Sequence, residues 1–129
     1  MRSWADVEAG VLDALADLAP GSNETPADLD RRLTAPGSGF YRVRRIGGQP
    51  VDEVTDAAQV DVETFAVGRD AAFTLARAAW DRLTLTPGLV GGPVRFDRIT
   101  TVLAPFEAPN DNPRVTRFLA TYRVTARRQ

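Results

Sequence analysis

Histidine, cysteine and lysine are all absent from this sequence. Without cysteine there is no disulfide, no thiolate nucleophile and no Cys-based metal site. Without histidine, the imidazole base, the Ser-His-Asp triad and most zinc sites drop out together. Without lysine, a Walker A loop and a Schiff base go as well. All sixteen basic side chains are arginine, set against seventeen acids for a formal charge of −1. No overall basic field exists to draw the chain onto nucleic acid, so any DNA contact has to be local. Long apolar runs are missing too: nothing approaches the roughly 18 residues of a membrane span. The N-terminal "MRSWADVEAG" carries acids where a secretion signal carries its apolar core. The expectation is a protein made in the cytoplasm with no membrane partner. What remains is ordinary for a globule, 43% hydrophobic and 26% charged over 129 residues, enough for one domain spanning 1–129 with a real core.

Hydrophobic spacing supplies the elements. Trp4, Val7, Val11, Leu15 and Leu18 recur at steps of three and four, which predicts an amphipathic helix over 3–19 with Ser3 as N-cap and Pro20-Gly21 as its stop. In the connection that follows, Pro26 opens one short helix. Phe40 to Ile46 reads as a strand whose polar positions are Arg42, Arg44 and Arg45, broken by Gly47-Gly48. An acidic loop with Asp52, Glu53 and Asp56 leads to a second strand over 58–66, where Val60, Val62 and Ala66 alternate with Gln59, Asp61 and Glu63. Ala72, Phe73, Ala76, Ala79, Trp80 and Leu83 then fall on one helical stripe. Strands are predicted over 94–104 and 114–127, the last alternating Phe118, Ala120, Tyr122 and Val124 with Arg117, Leu119, Thr121 and Arg123. The order α-β-β-α-β-β predicts an α/β (α+β) fold: a mixed four-stranded sheet with its helices mainly on one face.

Chemistry is left to the carboxylates. Asp61 and Glu63 point the same way from one strand and could share a divalent cation with Asp97 or the 52–56 acids. Such acids on a strand are more often solvated or cross-paired with arginine. The glycine pairs 47–48 and 91–92 are turn signals, since neither sits in a strand-to-helix turn with a phosphate-binding fingerprint. The arginines of "YRVRRI" lack the exposed aromatics and positive net charge that accompany nucleic-acid binding. No catalytic residue, metal or cofactor is expected.

Taken together, the N-terminal helix, "TPADLDRRL" followed by "FYRVRRIGG", "VTDAAQVDVETFAVGRDAAFTLARAAWDRL" and the closing "NDNPRVTRFLATYRVTARR" resemble the tail terminator proteins of siphophages infecting actinobacteria. The family is similar to the lambda-like tail terminators, and the resemblance runs from about Val7 to Arg127. It implies a non-enzymatic virion protein at the head-proximal end of the tail. There a homo-oligomer, typically a hexameric ring, caps the major tail tube protein, stops its polymerisation and offers a surface to the head-tail connector protein. DNA would pass through the lumen unread. Ring closure needs two different patches per subunit. The residues expected to supply them are Arg42, Arg44 and Arg45 beside Asp61 and Glu63, with Arg117 and Arg123, the loop acids Asp52 and Glu53, and the loops 47–56 and 105–113. A head-tail connector or neck protein of the same virion, or a cellular ligand-binding or regulatory domain, would share this architecture.

Overall fold

The computed structural model describes residues 4–33 and 38–128. In chain order the elements are α1 (Val7–Leu15), β1 (Gly21–Ser22), α2 (Leu29–Arg32), β2 (Gly39–Pro50), β3 (Thr55–Val67), α3 (Arg69–Leu85), β4 (Val90–Gly91), β5 (Val94–Ala108) and β6 (Val115–Arg127). One sheet holds them in the order β1-β2-β3-β6-β5-β4. The four long strands are the expected ones and pair as two hairpins, β2 with β3 and β5 with β6, with α3 between them in sequence. Two corrections follow. The sheet has six strands, because two-residue pieces extend both margins. Every pairing among the four long strands is antiparallel, and the parallel component is confined to β1 against β2.

Period-two alternation sorts the side chains. On β3, Ala58, Val60, Val62 and Ala66 face one way and are buried with Tyr41, Val43, Ala120, Tyr122 and Val124 from the flanking strands. Onto this face α1 places Val7, Val11, Ala14 and Leu15, and α3 places Ala79 and Leu83. Burying each of the larger aliphatic side chains contributes about 1.5–3 kcal/mol. The two helices are tied together by Arg82, which donates to Ala14 O at 2.8 Å and to both carboxylate oxygens of Asp17 at 2.7 and 3.1 Å. One of the carbonyls left open at the end of α1 is thereby satisfied. A smaller cluster lies on the opposite face, where Leu29 and Leu33 of the α2 region cover Phe40, Phe65 and Val115. Helices are thus mainly, not wholly, on one side.

Several boundaries move. Ser3, the expected N-cap, lies outside the described residues; Asp6 caps α1, accepting from Ala9 N at 3.1 Å. Trp4 is 40% exposed, off the core stripe, with the Arg128 guanidinium 4.8 Å from its ring centroid. Gly47-Gly48 does not end β2. The strand passes through a bulge at Ile46 and runs on to Pro50, so the expected long loop shrinks to a turn at 51–54 closed by Val51 N to Thr55 O. Gly48 (φ 92) lies so close to β3 that a Cβ there would come within 2.2 Å of Ala57 O. Gly91 is a second close approach: a Cβ would sit 1.7 Å from Gly10 O, so α1 crosses β4 backbone to backbone.

Candidate functional site

The nine residues singled out from the sequence do not form one surface, and strand parity explains why. Arg42, Glu63 and Arg117 do come together on the face that carries α2. Arg42 stands opposite Glu63 on β2, while Arg117 reaches it diagonally from β6. Arg117 Nε donates to Glu63 Oε2 at 2.8 Å, and Arg42 Nη1 lies 3.6 Å from Oε1. The Glu63 side chain is only 9% exposed. Arg117 also donates to Pro109 O at 3.2 Å, tethering the loop after β5. This trio is a structural clasp across three strands rather than a free docking surface. A cleft of about 400 Å³ opens above it between Pro26 and Leu29 on one wall and Pro109 and Asn112 on the other. Its central carboxylate is already held by two guanidinium groups, and the other carboxylates lining the cleft, Asp30 and Asp111, are exposed at its rim.

Asp61 is engaged as well. Thr121 Oγ1, directly opposite on β6, donates to Asp61 Oδ1 at 2.6 Å. Arg44 faces Asp61 from β2 in register but is exposed and makes no ion pair among the described residues. Arg45 goes to the other side of the sheet, where it forms a bidentate pair with the buried Asp56, Nη2 to Oδ1 at 2.9 Å. Its backbone N–H donates to Glu8 Oε2 at 2.7 Å, so a carboxylate from α1 occupies the outer edge of β2 at that point.

The remaining charges face outward. Asp52 Oδ1 accepts from the backbone N–H groups of Val54 and Thr55, both at 2.8 Å, which shapes the turn and holds its carboxyl below the usual range, the Val54 hydrogen bond being the largest cause. Glu53 is exposed beside it, and Arg123 is exposed on the open face of β6. Arg44, Asp52, Glu53 and Arg123 are therefore the exposed members of the nine.

The acids do not converge on a cation. Asp56 faces the helices with Arg45, Asp61 and Glu63 are held on the other face, and Asp97 pairs with Arg127 at 3.2 Å. Among the described residues no group of three potential ligands forms. The glycine pair 91–92 is packed against α1 and turns the chain, with no phosphate cradle. No helix among the described residues is long and apolar enough to cross a membrane.

An apolar surface is exposed as well, on none of the nine residues. β5 runs to Ala108, and from Thr101 to Ala104 it is exposed throughout. Val102, Leu103 and Phe106 stand in solvent there. A signal was present: "ITTVLAPFEA" has no apolar–polar alternation, and it places Pro105 in a strand, which marks a sheet margin.

No protein-family model and no curated protein matches the chain. Its fold matches a chain from a solved structure described as the virion of a native gene transfer agent (GTA) particle. The TM-score is 0.64 at 13% sequence identity, over 94% of this chain and 94% of that one. At that identity the likeness is one of fold.

Proposed function

We propose that this chain is a structural subunit of a phage-like virion, a tail terminator. It forms a ring on the head-proximal end of the tail tube, halts addition of tube protein and provides the joining surface for the head-tail connector. The observation that carries the proposal is the fold match to a virion chain over nearly the full length of both chains. The sequence resemblance to tail terminators points the same way. The side-chain chemistry supports it too. The charged clusters act as clasps between strands, while apolar side chains and a charged hairpin turn are left exposed, as association by shape and charge requires. Work of this kind needs no titrating group, metal or cofactor, and DNA crosses the lumen without base contacts.

Deleting the coding sequence from the particle that encodes it tests the reading. Tails of uneven and excessive length are the expected result. Tails of normal length that fail to join heads identify a neck protein instead, and unaltered particles identify a cellular protein; either outcome overturns the proposal.

A further inference from the structure

Two apolar patches are exposed at different margins of the sheet. On one side β5 is the margin from Asp97 onward, because β4 pairs only with Val94 and Arg95 and the last bond to that segment is Phe96 N–H to Leu89 O. Here Val102, Leu103 and Phe106 project. On the other side, the far end of the β2–β3 hairpin presents Ile46, Val51 and Val54. All six side chains are between 41 and 56% exposed. β3 and β6 lie between the two margins, a separation of about three strand spacings, or ~14 Å along the sheet.

The patches differ in charge and in backbone. The hairpin turn carries the exposed acids Asp52 and Glu53, whereas the β5 margin begins with the exposed Arg95 and Arg98. Among the described residues neither arginine has an ion-pair partner, while Asp97 between them is already taken by Arg127. The β5 pairing register shifts at Phe96/Arg98, Thr101/Leu103 and Leu103/Phe106, and Pro105 lacks an N–H. Such a margin is a poor template for adding a strand, so what it offers is side chains.

We propose that these patches are the two halves of one head-to-tail contact between copies of this chain. Ile46, Val51 and Val54 of one copy seat on Val102, Leu103 and Phe106 of the next, and Asp52 and Glu53 approach Arg95 and Arg98. The inference rests on the ring-subunit reading above and supplies its interface. Because the halves differ, each copy that joins leaves one of each exposed, and addition continues until the rotation closes.

Two variants test it: V102D/L103D, which spoils the β5 half, and V51D/V54D, which spoils the hairpin half. All four sites are exposed, so both should melt like the wild type. Sedimentation is expected to find each variant monomeric alone and the equimolar mixture a 1:1 dimer that grows no further, since each variant keeps the half the other lost. Self-association of V51D/V54D alone points to a β5–β5 contact and overturns the proposal. A mixture that stays monomeric overturns it too. If the wild type associates too weakly to sediment as an oligomer, the absence of native cysteine allows a second measurement: V51C and V102C copies, mixed and oxidised. Mixed disulfides should far exceed either homodimer, and a merely statistical ratio refutes the contact. These outcomes bear on the interface alone; tail length in the deletion decides the function separately.

Discussion

Replacing Glu63 with Gln asks whether the Arg42–Glu63–Arg117 trio holds the sheet or faces a partner. The substitution keeps the shape and removes the one charge that two guanidinium groups share, at 3.6 and 2.8 Å. Removing a partner from a fully buried ion pair costs about 3–5 kcal/mol, because the remaining charge stays desolvated. Here the carboxylate side chain is 9% exposed while both arginine side chains are 25% exposed, so water screens part of the loss. The expected destabilisation is about 2 kcal/mol. For a domain of this size that corresponds to a fall in Tm of about 8 °C. Calorimetry and urea titration of E63Q measure it, with the m-value unchanged. A cycle with R117Q should show that the second substitution costs less once the first is made, with a coupling of about 1 kcal/mol. A Tm within about 1 °C of the wild type, combined with failed assembly, would refute the reasoning and return Glu63 to the interface.

Other substitutions probe the packing directly. G91A forces a methyl into the carbonyl of Gly10 and should lower stability by about 3 kcal/mol or prevent folding, as judged by urea unfolding and soluble yield. L33A empties the small cluster over Phe40 and Phe65 and should cost about 2–4 kcal/mol in the same assay without altering assembly of the folded fraction. In acid, Asp17 and Asp52 have folded pKa values below their ordinary 3.8, lowered first by the Arg82 hydrogen bond and by the Val54 N–H respectively. Their contribution is therefore present above 3.8 and is lost as pH falls through the lower folded values; D17N and D52N should flatten the acid limb of a Tm–pH curve. Millimolar magnesium or manganese should leave the melting temperature unchanged, because Asp61, Glu63 and Asp97 already have partners and no three potential ligands converge among the described residues.

Most of the fold was legible because period-two and helical spacing report burial, and burial dominates folding. Val60, Val62, Ala120, Tyr122 and Val124 landed on the buried face as their alternation required. Turn length was not legible. Gly47-Gly48 reads as a break, yet a bulge and a close approach to Ala57 use the same residues to continue the strand. The candidate site was harder, since sequence tells which face a charge takes but not whether a neighbour already holds it. Asp61 and Glu63 were rightly placed on one face, and what the sequence does not show is that Thr121 and Arg117 already hold them from the neighbouring strand. Arg45 was grouped with Arg42 and Arg44, although an odd step along a strand sends it to Asp56 on the far side. The exposed apolar row on β5 escaped because its missing alternation and Pro105 mark a sheet margin without telling whether anything covers Val102 and Phe106 there.

β6 comes last in sequence among the six strands and yet lies at the middle of the sheet, bonded to β3 on one side and β5 on the other, with Asp61 meeting Thr121 sixty residues away. While the polypeptide is being synthesised, the two strands destined to flank it wait with open edges until residue 127 has left the ribosome. Closure is then a single late insertion of high contact order, slow beside helix formation and vulnerable to a stray strand from another nascent copy. Deleting residues 118–127, most of β6, should therefore abolish the native state outright, and cells producing the chain rapidly should lose more of it to inclusion bodies than its modest hydrophobicity suggests.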